Sequence, residues 1–263
     1  MNDQPTAPPP HPHSHALADL EQRCRQAVAA LETVTDRAAA NTGRLLPAWR
    51  RVTEGEHRLP VTVTVIAMIG LQSVVPERLS LRHWWTLPLI EVVMLAALIA
   101  SNPRRIVRAN RWLRGLSLAL IATASLANGW SASNLVLGLV QGTEGEDAGP
   151  LLAVGGNVWL TNVIVFGLWY WDLDRGGPVA RAQAVRITPD FLFPQMATPG
   201  IAAPDWEPQF IDYLYLAYTN ATAFSPTDTL PLSRWSKLAM MLQSAISLAT
   251  AALVVARAVN ILK

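Results

Sequence analysis

Residues 210–224 read FIDYLYLAYTNATAF, residues 225–235 read SPTDTLPLSRW, and residues 236–262 read SKLAMMLQSAISLATAALVVARAVNIL. The first piece is aromatic and apolar but makes only about four helical turns, roughly 22 Å at ~1.5 Å per residue, short of a comfortable bilayer crossing. The last piece is long enough to cross. A short dipping helix, a polar tip and then a full span is the layout of a pore loop. It places the chain among all-α, polytopic membrane proteins.

The remaining apolar runs fit that class. Residues 60–75, 84–100, 116–140 and 151–171 are each predicted to span. Together with the C-terminal hairpin they make a helix bundle of five or six spans. The count is five if 209–224 re-enters. It is six if 206–224 crosses, with Asp205 and Glu207 in the headgroups, and the six-span version is slightly preferred. Charged residues are 15% of the chain, against about 25% in soluble domains. A net charge of +2 is too small to argue for a nucleic-acid partner.

Orientation comes from the arginines. Arg104, Arg105, Arg108, Arg111 and Arg114 crowd one short loop that holds no acid, and such loops stay in the cytoplasm. The N-terminus is then cytoplasmic and the loop with Glu144, Glu146 and Asp147 lies outside. Arg234, Lys237, Arg257 and Lys263 favour a cytoplasmic tip and C-terminus. Trp84, Trp85, Trp112, Trp169, Trp171, Trp206 and Trp235 fall at or near predicted span ends, where indoles prefer the headgroup layer. The expected location is the cell inner (plasma) membrane, multi-pass. The start, MNDQPTAPPPHPHSHAL, lacks a basic n-region and apolar core, so the spans themselves are expected to direct insertion.

Five segments follow. Residues 1–15 are a Pro- and His-rich tail expected to be disordered. Residues 16–58 hold an amphipathic helix with Leu17, Leu20, Cys24, Ala27, Leu31, Val34 and Ala38 at three- and four-residue steps. That seam suits either a helix pairing in an oligomer or a helix lying on the membrane. Residues 59–174 are the four-span bundle, 175–208 a Pro-rich connector, and 209–263 the hairpin.

The stretch TNATAFSPTDTLPLSRWSKL resembles the pore region of potassium channels. Thr219 and Thr222 stand where the pore-helix threonines would be, and Asp228, Pro231 and Trp235 match positions after the filter. The second half is also similar to a bacterial family of uncharacterised integral membrane proteins. Asp212, Tyr213, Leu214, Tyr215, Ala217, Thr219, Asp228 and Asn260 carry that likeness over a little over 100 residues. The likeness implies a pore mouth of Thr219, Thr222, Ser225, Thr227 and Asp228. The tip departs from a potassium filter: Ala223 to Asp228 contains no glycine, and carbonyls cannot line up on an ion without one. Potassium selectivity is not expected.

Gln243, Ser247, Thr250 and Arg257 share one face of the last helix. They form either the wall of a water-filled path or a packed seam of interhelical hydrogen bonds. Ala245, Ala249, Ala252 and Ala256 make a small-residue face beside it. Glu91 and Asp212 are candidate intramembrane acids, which are costly enough to suggest a site or a pair. Arg257, Asn128, Asn157 and Asn162 are the expected partners of Glu91. No HExxH, GxSxG or Walker loop occurs, and the histidines (His11, His13, His15, His57, His83) lie outside the spans. With Cys24 alone, no internal disulfide forms, and no metal, cofactor or enzyme chemistry is expected. The expected function is an oligomeric, channel-like membrane protein passing a monovalent ion or small solute. The alternative is a non-conducting, membrane-anchored interaction protein that assembles through its N-terminal helix.

Overall fold

The computed structural model describes residues 46–81, 85–107, 110–144, 147–198, 200–222 and 228–262. The chain divides into Met1–Pro47 and Ala48–Lys263, and the second unit is the subject here. The tail at 1–15 and the seam at 16–45 lie outside the described residues. Residues 48–58, read above as the end of the amphipathic helix, form a 3-10 turn at Ala48–Arg50 and then non-helical chain.

The fold is all-α. Its helices are α1 (Leu59–Ser73), α2 (Thr86–Ser101), α3 (Arg111–Gln141), α4 (Ala148–Leu173), α5 (Pro178–Ala182), α6 (Pro194–Ala197), α7 (Phe210–Thr222) and α8 (Arg234–Ile261). Local chemistry sets several ends. Pro60 sits in the first turn of α1, where a missing N–H costs nothing. The Asn110 side chain accepts from Trp112 N at 3.2 Å to start α3. Gly142 closes α3 at φ 75°, a conformation that suits glycine. Ser233 caps α8 by accepting from Ser236 N at 3.3 Å. One two-stranded antiparallel ribbon pairs β1 (Phe191–Leu192) with β2 (Leu230–Pro231), Leu192 opposite Leu230.

α4 is the hub. Every residue from Thr161 to Leu168 is buried, as are Tyr170, Trp171 and Asp172. A helix that is apolar nearly all round must be covered on all sides, and α1, α3, α7 and α8 cover it. Two glycines let neighbours close in. A Cβ at Gly167 would meet Leu214 Cα at 3.2 Å, and one at Gly155 would meet both Val254 methyls at 2.7 Å. α7 and α8 therefore ride on α4 at distances that only hydrogen side chains permit.

The long helices alternate in direction. One end of the bundle gathers 48–58, 102–111, 172–209 and 228–236. There Ile106 N donates to Glu56 O at 3.1 Å and Thr53 N to Ala182 O at 2.8 Å, and Ser236 Oγ donates to Asp190 O at 3.4 Å. The other end carries the 74–81 loop and the acidic loop, where Arg78 and Glu144 form a two-pronged ion pair at 2.7 and 2.9 Å. We call these the arginine end and the acidic end.

The hairpin is decided by these ends. α7 starts at the arginine end, with Phe210 stacked edge-on against Trp171 at 5.8 Å. The chain is back at the same end by β2, and Trp235 then packs on Phe191 at 5.5 Å. Phe191 also meets Tyr213 of α7 at 6.4 Å. The start of α7 and the β2 strand therefore lie at the same end of the bundle. The end of α8 lies at the acidic end, where Val254 and Ala258 pack with Leu79, Leu135 and Leu139.

The tryptophan frame needs revising as well. Trp85 and Trp112 are exposed, as a belt requires, but Trp171 is 4% exposed. Trp169 donates inward to Ser125 Oγ at 2.8 Å, and Trp235 to Asp190 Oδ1 at 2.8 Å. These indoles hold the arginine end together. Outside the bundle the apolar side chains are plentiful: Val63, Ile66, Val93, Leu126, Leu137, Leu238, Met241 and Val255 are all exposed. Among the described residues two helical segments, Ala148–Gly176 and Arg234–Ile261, are long and apolar enough to cross a membrane; α1 and α2 are apolar but shorter.

Candidate functional site

The polar stripe of α8 faces inward. Gln243 is fully buried, and Ser247 and Thr250 are 1% exposed. Gln243 is the centre of a knot joining three helices. Its Nε2 donates to Ala217 O at 2.8 Å. Its Oε1 accepts from Tyr170 OH and from Asn220 Nδ2, both at 2.7 Å. Asn220 also donates to Met240 O at 3.0 Å and accepts from Ser244 Oγ at 3.2 Å. One turn along, Asn162 Nδ2 donates to Ser247 Oγ at 2.9 Å, and Asn162 Oδ1 accepts from Asn128 Nδ2 at 3.4 Å. The packed-seam alternative for Gln243 and Ser247 is what a single chain contains. Thr250 Oγ1 and Arg257 Nε are buried and carry no hydrogen bond.

Of the expected pore-mouth residues, Thr219, Thr222 and Asp228 are among the described residues. Thr219 Oγ1 turns back on its own helix, donating to Tyr215 O at 3.0 Å and Leu216 O at 3.1 Å. Thr222 does the same to Thr219 O at 2.8 Å. Such back-bonding occupies a hydroxyl with its own backbone. Asp228 is exposed, and Ser225 and Thr227 lie outside the described residues. Asp212 accepts from Gln209 N at 2.8 Å and so caps the start of α7. Glu91 is fully buried, but its partner is none of those expected. The Gln72 amide, oriented with nitrogen toward the acid, donates to both Glu91 oxygens at 2.9 and 3.0 Å. Gln72 lies in the last turn of α1, which the spacing had not connected with α2.

A second cluster, at the arginine end, was not anticipated. Glu56 accepts from Trp171 Nε1 at 2.6 Å and from the Phe210 backbone N–H. Arg181, 6% exposed, approaches Glu56 at 3.8 Å and donates to the carbonyls of Trp171 and Asp174. Asp174 accepts from Tyr213 OH at 2.6 Å and from Asp190 N at 2.8 Å. Arg175, 1% exposed, donates through Nε to Arg186 O at 2.7 Å. Burial pushes the Glu56 carboxyl above its usual value, against the pull of Arg181 and the two N–H donors. The cluster joins the 48–58 arm, the end of α4, α5 and the start of α7. Trp171 and Tyr213 had been noticed, as a span-end indole and as part of the family likeness, but not as partners of Glu56 and Asp174; Glu56 and Arg181 sit in segments without periodicity.

The arrangement ties four segments together at one end of the bundle. Among the described residues no group of three His, Cys, Asp or Glu side chains is placed to hold a metal ion. Comparison with protein-family models, with curated proteins and with solved structures gave no match.

Proposed function

We propose that the protein is a multi-span membrane protein that anchors and assembles without conducting. In this reading α1, α2, α3, α4 and α8 are five spans, and α7 is a re-entrant helix. The exposed aliphatic side chains meet lipid, since soluble monomers rarely expose broad apolar surface. The arginine end, with Arg50, Arg51, Arg104, Arg105, Arg111, Arg114 and Arg234, faces the cytoplasm of an inner membrane. Assembly with a partner or a second copy is assigned to the 16–45 seam.

One observation carries the non-conducting reading. Gln243 and Ser247, at the centre of the expected wall, are used up by hydrogen bonds inside one chain. The face α8 turns outward is Leu238, Met241, Ala245, Leu248, Ala252 and Val255. A path between copies lined by that face would be dry. What favours the channel-like reading is α7, a short helix that begins at the same end of the bundle as the β2 strand that follows it.

Flux measurements separate the two. Purified protein in liposomes is expected to pass monovalent ions and small solutes no faster than empty liposomes, and Thr250→Val to leave that unchanged. Flux well above the empty control, reduced by Thr250→Val, would favour the channel. Removing residues 1–51 is expected to lower the oligomer size in detergent; an unchanged size would count against assembly through the N-terminal helix.

A further inference from the structure

Between α1, α2, α3 and α4, under α5 at the arginine end, lies a cavity of about 260 Å³. Its depths are apolar: Val65, Leu95, Leu120, Ile121 and Leu168. A cavity near 150 Å³ already admits benzene, so this one has room for the upper part of an acyl chain. Its lining also includes two buried polar groups with unused bonding capacity. Arg58 is 8% exposed, donates through NH1 to Asn102 O at 3.3 Å, and leaves Nε without an acceptor. No acid among the described residues pairs with it. Asp172 is 3% exposed, accepts from Ser117 Oγ at 3.1 Å through Oδ1, and leaves Oδ2 without a donor. Arg111 and Arg114, both exposed, complete the polar rim, and Arg114 is tied to Gly176 O.

A buried guanidinium without a counter-ion is costly enough that proteins normally pair it. Here the missing partners are an acceptor for Arg58 and a donor for Asp172, in one cavity with an apolar floor. Basic pockets between spanning helices on the cytoplasmic side suit phosphate head groups.

We propose that this cavity binds one phospholipid whose head carries both a phosphate and an amine, of the phosphoethanolamine class. The phosphate meets Arg58, with Arg111 and Arg114 at the rim. The ammonium faces Asp172. The acyl chain lies among Val65, Leu95, Ile121 and Leu168. The proposal rests on the membrane reading, which is checked first by recovering the protein in the membrane fraction.

The full chain, extracted in detergent, is offered equal phosphatidylethanolamine and phosphatidylglycerol of the same acyl composition, and retained lipid is read by native mass spectrometry. One ethanolamine lipid per chain is expected, in excess over the glycerol lipid. Arg58→Leu should lower occupancy at least tenfold. Asp172→Asn should keep binding but remove the preference for the amine. Leu113→Trp fills the wall without touching either charge and should also empty the cavity, which keeps the test open if Arg58→Leu does not fold. Equal retention by wild type, Arg58→Leu and Leu113→Trp would mean surrounding lipid only and overturn the proposal. So would a preference for the glycerol lipid, or soluble phosphoethanolamine bound as tightly as the lipid.

Discussion

Arg181→Leu is expected to destabilise the bundle by about 3–5 kcal/mol, the range for stripping one partner from a buried charge cluster. The reason is what remains. Glu56 and Asp174 stay buried, and the Trp171 carbonyl loses its side-chain donor, while that of Asp174 keeps only the Gly177 N–H. Glu56 is already held above its usual carboxyl range by burial, so the pair is specific without being strongly favourable. Removing both sides should therefore hurt less than the sum. Glu56→Gln combined with Arg181→Leu should recover roughly 1–3 kcal/mol of coupling. Thermal unfolding in detergent, followed by loss of monodisperse elution, measures all four states of the cycle. Strict additivity would mean that Glu56 and Arg181 do not act as a unit.

Gln243→Leu tests the seam. It is close in volume and keeps the helix, but takes the Gln243 acceptor from the buried Tyr170 hydroxyl, strips Ala217 O of its second donor, and leaves Asn220 with its Met240 bond. Each buried unsatisfied group costs about 1–3 kcal/mol in water-soluble proteins, whereas interhelical hydrogen bonds in membranes average nearer ~0.6. The expected loss is roughly 2 kcal/mol. Ser244→Ala, on a half-buried neighbour that only accompanies the knot, should cost a few tenths of that scale. Comparable losses for the two would remove Gln243 from the centre of the seam.

The helices were legible because lipid-length apolar runs announce themselves. The runs 60–75, 84–100, 116–140 and 151–171 correspond to α1, α2, α3 and α4 within a few residues at each end. The stripe on α8 was legible too, since Gln243, Ser247 and Thr250 recur on one face. What lay on the far side of that stripe was not. Tyr170 and Asn162 sit in an almost wholly apolar run, so nothing in their spacing tells them from lipid-facing neighbours. The course of the hairpin was not legible: the pairing of Leu230 with Leu192 is what puts β2 at the end where α7 starts. Nor did the indole pattern show burial: Trp171 sits near the end of α4 and donates to Glu56. Glu56, Arg58 and Arg181 fall in aperiodic connectors, where only three-dimensional packing reveals that a charge is buried.

The central claim is a bundle of five membrane-crossing helices plus one re-entrant helix, with its arginine end inside the cell. Single cysteines at Arg104, Asp147 and Leu262, in a chain with Cys24→Ser, test it most directly through an impermeant thiol reagent applied to intact cells. Labelling at 147 and 262, with 104 reacting only after permeabilisation, is the predicted result. Labelling at 104 from outside, or protection of 262 while 147 reacts, would contradict it.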